Sequence, residues 1–295
     1  NFTTATNTFN VAVGDRAGEA VTTGVRNTFI GGLAGDGTDD GNHNTGVGYA
    51  ALTVNCGDEN TAVGYQSLAL VTSGRNNALG WGSGDGLTSG GNNTLIGYRA
   101  GSHDVTLQTG SNNVIIGNFS DTSATNSDNA TVIGYNVTGA ADFTTLGNGS
   151  TDSRLAHGGT TWAAVSDERY KKDITDSTLG LSFINALKPR TFNYKTLGEL
   201  PETFRAYVSP DDTEQDSTKV FKTDQTQHGF IAQEVKTAID AASGVADGFK
   251  MWAERDDGSQ EVAEAALIPM LVKAIQELSA QVTALQAEVN TLKGG

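Results

Sequence analysis

The sequence predicts a mainly β repeat shaft, built as a parallel β-roll or solenoid, followed by a small α+β domain and a C-terminal coiled-coil helix. Three observations carry this. A short phrase ending in glycine returns at a near-constant interval through the first half, charge density changes near residue 150, and a heptad pattern runs to the C-terminal end.

The repeating phrase reads NTFIGG at 27, NTGVGY at 44, NTAVGY at 60, NNALGW at 76, NTLIGY at 93, NVIIGN at 113 and ATVIGY at 130. Its glycines are Gly14, Gly31, Gly48, Gly64, Gly80, Gly97, Gly117, Gly134 and Gly147, so the successive steps are 17, 17, 16, 16, 17, 20, 17 and 13. Such a period is too short for a helical pair and suits one coil of a β-solenoid, with a short strand in each phrase and Gly, Asn and Asp at the corners. Thr45, Val47 and Tyr49 alternate on one strand face, so each coil has roughly one apolar stripe, to be covered by stacked neighbours and by other chains. Asn44, Asn60, Asn76 and Asn93 recur at equivalent corners, where left-handed turns bonding to the backbone are expected. The recurrent glycine implies positive φ or close backbone approach.

Charge and composition narrow the function. Residues 1–150 hold 4 basic and 12 acidic residues, the remainder 15 and 22, and the first lysine of the chain is Lys171. A net charge of −15 and 37 glycines in 295 residues argue against a nucleic-acid partner, which needs Lys and Arg to displace counterions. A single cysteine, Cys56, leaves no intramolecular disulfide. No apolar run is long enough to cross a bilayer, so membrane insertion is not expected. Asn1 is read as the start of a fragment of a longer chain. GDGTDDG at 35–41 and GSGDG at 82–86 have the composition of metal loops, but their Asp residues do not recur in a fixed register, and solvated turns are expected instead. Neither a metal nor a cofactor is predicted. No carboxylate pair of a glycan-cleaving site stands out in the first half, and His43 and His103 read as surface histidines without partners.

After Gly147 the period fails, and 151–165 reads as a linker. Residues 177–187 have helical apolar spacing and end at Pro189. Residues 190–194 alternate as a strand, 209–217 form an acidic, polar loop, and 228–242 read as an amphipathic helix opening at His228. Residues 249–262 are expected to form a hairpin turning at Asp257 and Gly258. From Leu271 through Ile275, Leu278, Val282, Leu285 and Val289 to Leu292 the apolar steps alternate 4 and 3, placing Ile and Val at a and Leu at d of a coiled coil over 267–295. In parallel coils that choice favours dimers over trimers, but the seam is only three heptads long and the preceding domain can override it, so a trimeric coiled coil is expected.

Two resemblances add to this reading. NTAVGYQSL resembles repeats in the heads and shafts of trimeric phage tail fibres and trimeric adhesins. It implies a trimeric shaft on residues 1–150, with loops 36–43 and 101–110 as candidate contacts for a glycan or protein receptor. SDERYKKDI at 166, LKPRTFNY at 187, HGFIAQEV at 228 and ALIPMLVKAIQEL at 266 follow in the order that resembles the C-terminal intramolecular chaperone domain of phage endosialidases, tail spikes and neck appendages. That resemblance implies a domain over 166–266 that trimerises, aligns the preceding fibre, and cuts itself off with a Ser-Lys dyad. Carried over by position, Ser166 is the nucleophile, Lys171 the general base, and the Val165–Ser166 bond the one cleaved. A lysine acts as a base only as the neutral amine, which burial or nearby positive charge favours, and Arg169 and Lys172 are expected to supply that charge. His228, Gln233 and Glu234 are weaker candidates for support, and Trp162 is expected to pack on the domain.

The expectation is therefore a virion tail fibre or appendage protein made in the host cytoplasm. It would be a homotrimer that meets a host-cell receptor and joins other tail proteins on its N-terminal side, with self-cleavage as its only enzymatic act. The alternative is a bacterial trimeric surface adhesin with an uncleaved trimerisation domain, although an adhesin should end in a membrane barrel rather than in this coiled coil.

Overall fold

The computed structural model describes residues 8–149, 151–242 and 251–294 and divides into two units, Asn1–Tyr170 and Lys171–Gly295. The first unit is a β-solenoid. Seven three-residue strands, β1 (Val11–Val13), β2 (Thr28–Ile30), β3 (Thr45–Val47), β4 (Thr61–Val63), β5 (Asn77–Leu79), β6 (Thr94–Ile96) and β7 (Val114–Ile116), pair in parallel in chain order. Two further strands form a separate parallel pair, β8 (Asp121–Thr122) with β10 (Thr138–Gly139), while β9 (Thr131–Tyr135) and β11 (Phe143–Asn148) extend the main ladder. The register joins Ala12, Phe29, Gly46, Ala62, Ala78, Leu95, Ile115, Val132 and Thr145 in one row, so each coil advances by the spacing of the recurrent glycine.

That row is the inner face. Phe29, Ala62, Leu95, Ile115 and Val132 are fully buried and join Leu52, Leu68, Leu87 and Leu107 from the turn segments in one continuous core. Thr45, Val47 and Tyr49, expected to be the stripe that stacking covers, lie on the opposite, outward face. Each coil thus has two apolar sets, because the inward position holds residues as small as Gly46 and Ala62 and was the less conspicuous of the two in the sequence.

The recurrent glycines from Gly14 to Gly134 meet both of their expected demands, whereas Gly147, inside the last parallel strand, does not have positive φ. Gly14 has φ of +136°, and a Cβ there would stand 2.5 Å from the carbonyl oxygen of Gly31 in the next coil. The asparagines are placed differently from expectation. Asn44, Asn60, Asn76, Asn93 and Asn113 are fully buried, and the residue before each one, such as His43, Arg75 or Asn92, takes the left-handed conformation. The side-chain oxygen of Asn44 accepts the backbone N–H of Asn60 at 2.8 Å, and Asn76 does the same for Asn93 at 3.0 Å, forming an internal ladder along the shaft. A buried backbone N–H that has no strand partner is costly, and the amide of the preceding coil satisfies it.

Both histidines expected to lack partners have neighbours. His43 Nε2 lies 3.1 Å from Arg26 Nη1, and His103 packs on Phe119 with ring centroids 4.6 Å apart. The buried carboxylate of Asp121 accepts the backbone N–H groups of His103 and Asp104 at 3.0 and 2.7 Å, which pins the longest coil, the one carrying loop 101–110. The segment 151–165, read as a linker, carries β12 (Thr151–Ala156), antiparallel to β11, and β13 (Ala163–Ala164), antiparallel to β12, so the sheet runs through it.

In the second unit, α1 (Leu181–Ala186) places Phe183 in a core with Leu179, Leu187, Val235, Ala238, Met251 and Leu267. The N–H of Leu181 donates to the Glu277 carboxylate at 2.7 Å. β14 (Arg190–Phe192) pairs antiparallel with β15 (Gln227–Gly229), and α2 (Ala232–Ala241) follows. The helix expected to open at His228 therefore starts later, because the main chain at 227–229 is taken up by pairing with β14. β16 (Trp252–Glu254) and β17 (Gln260–Val262) form the expected hairpin, with Gly258 at φ +79° in its turn; positions 249 and 250 of that expected element lie outside the described residues. The chain ends in α3 (Ile268–Lys293), whose heptad positions Leu271, Ile275, Leu278, Val282, Leu285, Val289 and Leu292 are all exposed. Among the described residues no helix is long and apolar enough to cross a membrane.

Candidate functional site

Val165 and Ser166 directly follow β13, and both are exposed. A single 3-10 turn, Glu168–Tyr170, comes next, with Lys171 and Lys172 exposed behind it. The turn is organised by Asp167, whose carboxylate accepts the backbone N–H of Arg169 at 2.8 Å and its guanidinium at 3.0 and 2.7 Å. Arg169 was expected to place positive charge beside Lys171. Its charge is instead offset by Asp167, leaving Lys172 as the neighbouring cation of that expectation.

The division between the two units falls between Tyr170 and Lys171. Val165, Ser166 and Arg169 belong to the first unit, whereas Lys171, Lys172, His228, Gln233 and Glu234 belong to the second. The expected nucleophile and base are thus five positions apart in sequence and assigned to different structural units.

Within the second unit, the β14–β15 pairing and the turn at Glu264 border a cleft of about 570 Å³, lined by Pro189, Arg190, Thr191, His228, Gly229, Phe230 and Glu264. His228 stands opposite Thr191 in the β14–β15 register. Next to it, the guanidinium of Arg190 holds the Glu234 carboxylate through two bonds of 2.9 and 2.5 Å, and this hydrogen bonding keeps the Glu234 carboxyl below the usual carboxylate range. Glu234 is therefore a partner of Arg190 in the first turn of α2, while Gln233 is exposed to solvent. Glu264 enters from the 3-10 turn Glu264–Leu267.

Sequence reasoning found His228 and Glu234 but missed Arg190 and Glu264. The signal for Arg190 was present, since it opens the strand in LKPRTFNY that pairs with the strand carrying His228. Glu264 carried no signal, because it lies far along the chain from Gly229, the residue whose side it flanks. The lining offers an imidazole, a guanidinium and one carboxylate, a set suited to gripping polar main-chain groups, and it contains no serine or cysteine nucleophile. Among the described residues no three His, Cys, Asp or Glu side chains converge as metal ligands.

A comparison with protein families finds a match over this part of the chain, which takes in three of the four motifs. Residues 166–244 fit the family model described as chaperone of endosialidase, Peptidase_S74, and the fit begins at Ser166 itself. This segment is similar to the endosialidase-type chaperone domain. The match covers roughly a quarter of the chain and supports a chaperone and trimerisation role for that part. The chaperone domain so defined contains Lys171, β14, β15 and α2, and it stops before the β16–β17 hairpin and α3. No curated protein and no solved structure matches the chain.

Proposed function

We propose that the chain is a segment of a trimeric viral tail fibre or appendage, in which the chaperone domain assembles three shafts in register and then releases itself by cutting between Val165 and Ser166. The observation that supports this best is the junction of a chaperone-type domain to a solenoid whose coils are nearly equal in length and alike in sequence. Coils so alike can pair one whole coil out of step at little energetic cost, so three chains need one end clamped before their shafts dock. The exposed heptads of α3 fit a coiled coil that supplies the clamp. With the domain gone, the folded shaft is held by the height of its unfolding barrier.

In this reading the Ser166 hydroxyl attacks the Val165 carbonyl carbon as the neutral Lys171 amine takes its proton. The C–N bond to Ser166 then breaks as its nitrogen is protonated, and water hydrolyses the resulting ester to free the shaft carboxylate and the domain. Exposed Ser166 and Lys171 agree with a site completed on assembly. Host attachment would fall to loops 36–43 and 101–110, and the N-terminal side would join the rest of the particle.

The test is intact-mass analysis with denaturing electrophoresis of freshly assembled wild type beside Ser166→Ala and Lys171→Ala. Wild type is expected to split between Val165 and Ser166, with both variants whole. A wild type that stays whole while forming trimers removes self-cleavage and leaves a retained trimeric cap.

A further inference from the structure

We infer that the outward strand face of the solenoid is the surface through which copies of this chain pack against one another. The inference rests on the trimeric reading above and adds the face that is used.

The face consists of the first and third residues of each strand and the residue two beyond the third. Its aliphatic row includes Val13, Ile30, Leu79, Ile96, Ile133 and Leu146, each between 37% and 58% exposed. Beside it runs an aromatic row of Tyr49, Tyr65, Trp81, Tyr98 and Tyr135, between 39% and 54% exposed. An aromatic side chain can bury on the order of 150–250 Å², so these two half-open rows together offer roughly 800 Å². That exceeds the ~300–600 Å² of the largest patch on a typical monomer and equals the ~800 Å² each partner contributes to a standard interface.

Charge identifies the partner. The first 150 residues carry 12 acidic against 4 basic side chains, yet no Asp, Glu, Lys or Arg occupies a first or third position in β1–β7 or β9. At the position two beyond the third residue, the only charge is Asp15, after β1 at the start of the shaft. Like-charged chains repel wherever their acidic surfaces meet, and from β2 onward this strip is where identical anionic chains can touch. A basic partner would instead meet the acidic turns.

Ring geometry argues against a sugar as the main occupant. Tyr49, Tyr65, Trp81 and Tyr98 stack with centroids 5.5, 5.3 and 5.0 Å apart and planes within 17° of parallel. Their π-faces are turned to one another along the shaft, and the edges look outward. A pyranose stacks on a ring face, whereas a neighbouring row of Ile, Val and Leu packs equally well against ring edges.

The test uses the full chain. Cysteine is introduced at Leu79 or Ile96 on the face, and at Leu70, similarly open at 47% but in a turn segment; native Cys56 is buried. Maleimide labelling rates are compared with those in denaturant, and mass is measured by sedimentation. In a trimeric species, Leu79→Cys and Ile96→Cys are expected to label at least about tenfold more slowly than Leu70→Cys, as a covered site should. A trimer in which both face thiols label as fast as Leu70→Cys overturns the face and spares the trimer. A monomeric wild type at micromolar concentration overturns both.

Discussion

Asn76 concentrates the chemistry of the shaft in one side chain. Its amide oxygen accepts from the N–H of Asn93 at 3.0 Å, and its NH₂ donates to the Gly90 carbonyl at 3.0 Å, all without access to water. Asn76→Ala strands buried donors and acceptors and is expected to cost about 2–3 kcal/mol, read as a lowered denaturation midpoint, whereas alanine at exposed Arg75 should change stability by less than about 0.5 kcal/mol. Gly64 is stricter still. Its φ is +138° and a Cβ would collide with the carbonyl oxygen of Gly80, so Gly64→Ala is expected to prevent the native ladder from forming rather than merely weaken it. In the second unit, Asp257 accepts from the Ser259 hydroxyl and N–H and from the N–H of Arg205, which lowers its carboxyl to about 2. A carboxyl lowered on folding stabilises above its unfolded value of 3.8, and that contribution is lost as pH falls from there toward 2. An NMR titration of the Asp257 side chain should find its midpoint near 2, and a midpoint near 3.8 would mean an open hairpin turn. At this scale the columns of Gly and Asn were legible, because a period repeats the same demand many times. Which residue of each corner is left-handed was not, since intrinsic preference pointed to Asn while the ladder bond needs Asn in place and passes the strain to its predecessor, even when that is Arg75 or His43.

Among the elements, α3 carries the most testable statement. Its exposed Leu278 and Leu285 form part of a stripe that a single chain leaves open to water. The double variant Leu278→Glu, Leu285→Glu is expected to lower the assembled mass to that of a monomer while leaving the helix itself largely formed, measured by sedimentation and far-ultraviolet circular dichroism together. The strand of each coil, the hairpin at Asp257 and the C-terminal helix all follow from patterns of period two, turn residues and heptads. The inner face of the solenoid did not, because Gly46, Ala62 and Ala78 are too small to declare an apolar stripe. The start of α2 was misplaced because HGFIAQEV has helical spacing, and only the long-range partner Arg190–Phe192 turns its first residues into a strand. The cleft was half legible for a related reason, since Arg190 reaches it through the β14–β15 pairing and Glu264 through a turn far along the chain, neither of which a local window contains.

For the whole molecule, the solenoid makes stability nearly a sum over neighbouring coils. Excising 61–76 joins Asn60 to Asn77 and keeps every register position, with Asn60 taking the place of Asn76 as acceptor for Asn93. The shortened chain is expected to keep its β-sheet signal and to melt a few degrees lower; loss of the signal would mean that the shaft folds as one indivisible block. Charge density changes near residue 150, whereas the two units divide between Tyr170 and Lys171. The extension of the sheet through β12 and β13 was not legible, because antiparallel closure leaves no trace in a period. That closure also bears on the order in which the shaft forms. Every parallel strand must wait for a partner one whole coil away along the chain, whereas the paired Asn148 and Thr151 are three positions apart in sequence, and loops of low contact order close first. The end of the shaft nearest the chaperone domain is therefore its kinetic starting point, and pulse-labelled amides should gain protection first in β11 and β12 and last in β1.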